Sequence, residues 1–227
     1  KNEKVKVLKS ISLPKKIENA AVIGQYGEGF IDGQRTKAYT SENEVNKNSR
    51  TETYAALKLN INNDMWNGIP FYIRTGKRLK ERATEIVIVC KEVPFSLFSK
   101  SNLEKNRIVI RVQPYDGITL KFNAKVPGSR FLIDSVDMDF CHECKFGPNT
   151  PESYERLLQD VMQGDQTLFT RWDEVESAWK IIDRLRASME KVRPFKYQAG
   201  TWGPIEADRL IEKDGRKWIE PSVPSYA

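Results

Sequence analysis

Residues 66–89 read WNGIPFYIRTGKRLKERATEIVIV: an apolar run, a burst of cations, then a second apolar run. The segments Pro70 to Ile73 and Glu85 to Cys90 are rich in β-branched and aromatic residues, which suits strands. Between them, five basic residues fall in nine positions: Arg74, Lys77, Arg78, Lys80 and Arg82. Gly76 stands between the first two and would let a backbone approach closely. A strand that ends on a glycine and a fan of cations suits a small anion such as a phosphate, because guanidinium and ammonium groups supply charge-assisted donors. The competing reading is a solvated charge run that keeps a sheet edge soluble.

Working outward, other segments carry the period-2 signature of strands. Leu57, Leu59 and Ile61 alternate with Lys58 and Asn60, and Ile118, Leu120, Phe122, Ala124 and Val126 alternate with polar residues. Val136, Met138 and Phe140 do the same. Ala20 to Gly24, Glu85 to Cys90 and Ile108 to Val112 are near-continuous apolar runs, expected as buried central strands. Most connections are too short for crossover helices, so pairing should be largely antiparallel.

The C-terminal third changes period. Thr150 and Pro151 look like a helix start, with Tyr154, Leu157, Leu158 and Val161 on one face and Gly164 as the stop. Asp173 and Glu176 resemble a capping box, followed by Val175, Ala178, Trp179, Ile182, Leu185 and Met189 at helical spacing. Trp179 and the Leu157–Leu158 pair are expected in the core. The fold class is therefore α+β: one large, mostly antiparallel β-sheet with helices packed on one face, as one domain over residues 1–227.

The chain has 227 residues, 39% hydrophobic and 30% charged, with a formal net charge of +6. No run is long enough to span a membrane. Basic residues are scattered rather than gathered into one stripe with exposed aromatics, which argues against nucleic acid. The N-terminal KNEKVKVLKS has no apolar core, and three cysteines are an odd number, so a reducing, cytoplasmic setting is expected. Cys141-His142-Glu143-Cys144 has CxxC spacing, but a closed zinc site needs further ligands and there is one histidine in the chain. The expectation is no metal. The glycines of GQYGEGFIDG (24–33) match neither GxGxxG nor GxxxxGK[ST] and read as a turn between strands. No nucleophile–base pair or metal motif is evident, so the cations of 74–82 are the one candidate site.

Several stretches together resemble the β+α domain of the glucose-6-phosphate dehydrogenase family. They are EKVKVLKS (3–10), IGQYGEG (23–29), TETYAALKLNINNDMWNGIPFYIRTGKRLKERATEIVIV (51–89) and RIVIRVQP (107–114). PESYERLLQDVMQGDQTLF (151–169), RWDEVESAWKIID (171–183), YQAGTWGPIEADRLI (197–211) and GRKW (215–218) follow in the family's order. The resemblance implies hydride transfer from C1 of glucose 6-phosphate to NADP, giving the lactone. It also implies that the family's dinucleotide fingerprint and histidine base precede the matched region, so that no catalytic residue is expected in this chain. By the same resemblance Lys77, Arg82 and Gln113 are substrate contacts, and the sheet is a dimer or tetramer interface. Some family members hold a second, structural NADP, whose positions match Arg74, Arg111, Lys121, Asp139 and Trp218. Ala83 and Val87 stand where that site would need cations, which tells against it. Two other classes remain open on the sequence: a non-catalytic basic sheet that binds a polyanion, and a purely structural oligomerisation domain.

Overall fold

The computed structural model describes residues 1–14, 16–92, 104–129, 132–147 and 153–221. The expected helix start at Thr150 and Pro151 lies outside them. Along the chain come α1 (Asn2–Ser10), β1 (Ile11–Ser12), β2 (Ala21–Gly27), β3 (Gly29–Ile31), β4 (Gln34–Thr36) and β5 (Tyr54–Ile61). β6 (Pro70–Gly76), β7 (Thr84–Val89), β8 (Arg107–Gln113), β9 (Gly117–Lys125) and β10 (Ile133–Cys141) follow. The rest are α2 (His142–Phe146), α3 (Ser153–Gln163), α4 (Trp172–Met189), β11 (Phe195–Gln198) and α5 (Ile205–Glu212). They fall into two units, one of residues 1–81 and 164–218, the other of 82–163 with the segment from Ile219 onward.

In the first unit β5 is central. β6 pairs along one edge of β5; β1 and β2 share the other edge, and β11 adds to β2 in parallel. Alternation along β2 and β5 divides their side chains between two cores. Ala21, Ile23, Leu57 and Leu59 pack with Leu185 and Met189 of α4. On the opposite face Val22, Tyr26, Tyr54 and Ala56 pack with Tyr197 and with Ala207 and Leu210 of α5. The α+β class holds, with β11 on β2 as the parallel pairing among named strands. Helices on one face describes α4 but not α5, which covers the other. The reason is local: β5 carries large apolar groups on both faces in its first half, and each face needs a cover.

The second unit holds a four-stranded antiparallel meander, β10-β9-β8-β7, so the strands are shared between this sheet, the five-stranded one and the β3–β4 hairpin. Its register lines up Ile86, Ile110, Ile118 and Phe140 in one row and Ile88, Ile108, Leu120 and Met138 in the next. Among the described residues β7 is therefore an edge strand, not the buried central strand its composition suggested, and Ile86 is 54% exposed. Trp179 and Leu158, expected in the core, are also exposed. Helix α4 begins at Trp172 without a side-chain cap. The Asp173 carboxylate instead takes two bonds from the Arg171 guanidinium, at 2.7 and 2.6 Å. α3 stops where Gly164 turns with φ 70°. Among the described residues no helix is long and apolar enough to cross a membrane.

Candidate functional site

The cations begin where β6 runs out. Gly76 is required there, because a Cβ at this position would come within 2.7 Å of Cδ2 of Tyr54. The next residues are stitched to two other segments. Lys77 donates its N–H to the Thr53 carbonyl at 2.8 Å, and the Tyr197 hydroxyl donates to the Lys77 carbonyl at 2.6 Å. Gly200 N–H donates to the Arg78 carbonyl at 2.9 Å, and Lys80 N–H to the Thr201 carbonyl at 3.1 Å. Arg78 itself sits in the left-handed region at φ 53°, an uncommon conformation for a side chain of this size. The turn is thus fixed by neighbours rather than by its own preference.

Around this turn the side chains are tyrosine-rich. Tyr197 packs against Tyr54 and Tyr26 with ring centroids 5.5 and 6.4 Å away. The Tyr26 hydroxyl donates to Glu42 at 3.2 Å, and Glu42 pairs with Arg78 at 3.6 Å. Burial, then the Glu42 charge, raise the Tyr26 phenol above its usual range, and burial likewise raises that of Tyr197. Both stay neutral donors at ordinary pH. The Lys77 side chain is exposed, and among the described residues no carboxylate pairs with its ammonium. With the backbone already fixed, the ordering cost of receiving an anion here is that of the lysine side chain alone.

Arg82 and Gln113 belong to the second unit, whereas Lys77 belongs to the first. Arg82 is exposed ahead of β7. Gln113 ends β8 opposite Thr84, and its amide donates to the Thr84 hydroxyl at 2.9 Å. Both can reach solvent.

The five positions matched to a structural nucleotide are engaged within the protein. Arg74 lies between the indoles of Trp202 and Trp218, 5.0 and 4.9 Å from their centroids. Each such contact contributes about 0.5–2 kcal/mol. Trp218 is held by its own N–H on the Ala207 carbonyl at 2.9 Å. Arg111, 3% exposed in its side chain, pairs with Asp139 at 3.4 Å, and Thr119 donates to the same carboxylate. Lys121 pairs with Asp137 at 2.7 Å. The charges of Arg111 and Lys121 are thus each balanced by a carboxylate of the same sheet.

Cys141 and Cys144 are joined in a disulfide with Cα atoms 5.2 Å apart, where free thiols were expected. The strand-to-helix turn from β10 into α2 brings the two side chains together. His142 stacks on Phe146 with centroids 4.8 Å apart.

Sequence reading missed Tyr197, Thr53, Trp202 and the 199–203 loop as partners of the cationic turn. Gly200 and Gly203, at φ 86° and 115°, were the available signal: glycines flanking Trp202 mark a tight approach of backbones.

Fold and turn together define an α+β domain with an exposed lysine on a turn whose backbone is tied to two other segments. A family model described as the C-terminal domain of glucose-6-phosphate dehydrogenase matches residues 1–219. The glucose-6-phosphate 1-dehydrogenase of Chlamydia trachomatis is 45% identical over 225 residues, covering 96% of this chain and 51% of that protein. The Bacillus subtilis enzyme of the same name is 43% identical, covering 96% and 46%. A solved glucose-6-phosphate dehydrogenase in complex with glucose 6-phosphate superposes with a TM-score of 0.84 at 32% identity, covering 96% of this chain and 45% of that one. The Mycobacterium avium enzyme gives 0.80 at 31%. The chain belongs to the glucose-6-phosphate dehydrogenase family, as its C-terminal domain. It spans about half the length of the relatives it matches.

Proposed function

We propose that residues 1–227 work as one substrate-contacting and assembly domain of an NADP-dependent glucose-6-phosphate dehydrogenase that opens the oxidative pentose phosphate route in the cytoplasm. The observation that carries this reading is the Lys77 turn: an exposed ammonium on a backbone tied at both its N–H and its carbonyl. In this reading Lys77 neutralises charge on the sugar phosphate, and the family resemblance alone proposes Arg82 as a further cation contact and the Gln113 amide as a partner for hydroxyl groups. NADP, when bound, accepts the hydride from C1, while the proton on the C1 oxygen needs a base. His142, the one histidine in the chain, packs against Phe146 at the start of α2 and is not assigned that role. The base and the dinucleotide site are assigned to the part of the protein that its relatives have outside this chain.

A second, structural NADP is not part of this proposal: Arg111 is paired with Asp139 and Lys121 with Asp137, and Ala83 and Val87 stand where the resemblance would require cations. Homodimer or tetramer formation is assigned to the exposed apolar face of the four-stranded sheet. Two aligned rows of isoleucine, leucine, methionine and phenylalanine side chains on one face support a partner of the same composition, and argue against a polyanion.

The test is glucose 6-phosphate oxidation followed by NADPH absorbance. The full-length protein is expected to turn over, and the pure 227-residue chain is not. Turnover by the chain alone, or none by the full-length protein, would overturn the assignment.

A further inference from the structure

We propose that Tyr197 is a positioning residue for substrate binding, acting through Lys77; this rests on the reading that Lys77 contacts the sugar phosphate. A lysine side chain has four rotatable bonds, so the place of its ammonium depends first on how firmly its Cα and peptide plane are held. Here, among the described residues, the peptide carbonyl of Lys77 is held by one group, the Tyr197 hydroxyl at 2.6 Å, across 120 residues of sequence. That hydroxyl sits at a junction: the Thr53 hydroxyl lies 3.2 Å away and the Thr53 carbonyl 3.3 Å away. Thr53 is the same residue whose carbonyl takes the Lys77 N–H. Tyr197 and Thr53 therefore grip both ends of one residue.

The grip works against local preference. The residue after Lys77 is in the left-handed region, and the peptide joining them is the one whose oxygen Tyr197 holds. Removing that bond lets the 77–78 peptide rotate toward a commoner conformation and carries the lysine Cα with it. Tyr197 is itself placed without slack. It lies on β11, which adds in parallel to the buried β2; it is 4% exposed, and its ring is wedged between Tyr26 and Tyr54. A buried phenol in an all-protein environment could serve stability alone, so the assignment turns on which kinetic constant it moves.

In the full-length enzyme, Tyr197→Phe keeps the ring and deletes the hydroxyl. The expected result is a rise of about fivefold in KM for glucose 6-phosphate, the size of one lost hydrogen bond, with kcat and KM for NADP nearly unchanged. In a Lys77→Ala background the same substitution should add nothing, since the effect travels through Lys77. An unchanged KM in Tyr197→Phe, or an equal rise with Lys77 already removed, would overturn the proposal. The parent reading fails separately: if Lys77→Ala alone leaves the use of glucose 6-phosphate unaltered, both fall. If Lys77→Ala weakens it while Tyr197→Phe does not, only the positioning role falls. Should Tyr197→Phe not fold, Thr53→Val carries the test. It removes the hydroxyl beside the phenol and is expected to raise the same KM, again only when Lys77 is present.

Discussion

Tyr54 is 2% exposed, and its hydroxyl has no hydrogen-bond partner among the described residues. Its ring does the work, filling the space that Gly76 and Gly203 leave open by lacking a Cβ. Burial pushes the phenol from 10.0 up to about 12, with the nearby Arg74 charge opposing. The sign follows from linkage: the unfolded chain ionises this tyrosine near pH 10, while the folded chain resists until about 12. Its contribution is full below the unfolded value and is lost as pH rises through that window. Tyr54→Phe is expected to leave the melting temperature within about 2 °C or to raise it, since replacing an unpartnered hydroxyl is close to neutral. It should also flatten the loss of stability between pH 10 and about 12. Thermal melts across that range check both; a clear destabilisation at pH 8 would mean the hydroxyl has a partner.

At the scale of elements, strands were legible and their surroundings were not. The alternation of Leu57, Leu59 and Ile61 located β5, because period 2 is a local property of the chain. Whether a strand is central depends on what lies beside it, and no local signal carries that. Glu85 to Cys90 and Ala20 to Gly24 have similar composition, yet among the described residues β7 is an edge and β2 is buried. The start of α4 shows a related limit: Asp173 and Glu176 have capping-box spacing, but a two-bond ion pair with Arg171 takes the aspartate first. The exposed apolar face of the second unit's sheet gives this scale its prediction. Leu120→Glu places a charge in the middle of an apolar row between Ile108 and Met138. Sedimentation of the full-length protein should then show a shift from oligomer toward monomer, with the circular dichroism unchanged. Retention of the wild-type assembly would remove this face as the interface.

For the whole molecule, the candidate site was half legible. The choice of Lys77, Arg82 and Gln113 as substrate contacts came from the family resemblance, whereas the cationic turn could be picked out from RTGKRLKER, because cations after a strand and glycine are a one-dimensional pattern. What holds Lys77 in place could not, since Thr53 and Tyr197 come from positions 24 and 120 residues away and meet it only in the folded chain. The same distance in sequence hid the fate of Arg74, closed between Trp202 and Trp218. The central claim is that this chain brings a fixed cation to a sugar phosphate. Steady-state kinetics of the full-length enzyme with Lys77→Ala tests it most directly. Losing a charge-assisted contact of about 1.5–3 kcal/mol predicts a fall of at least about tenfold in kcat/KM for glucose 6-phosphate, with KM for NADP little altered. An unchanged kcat/KM for the sugar phosphate would contradict the account.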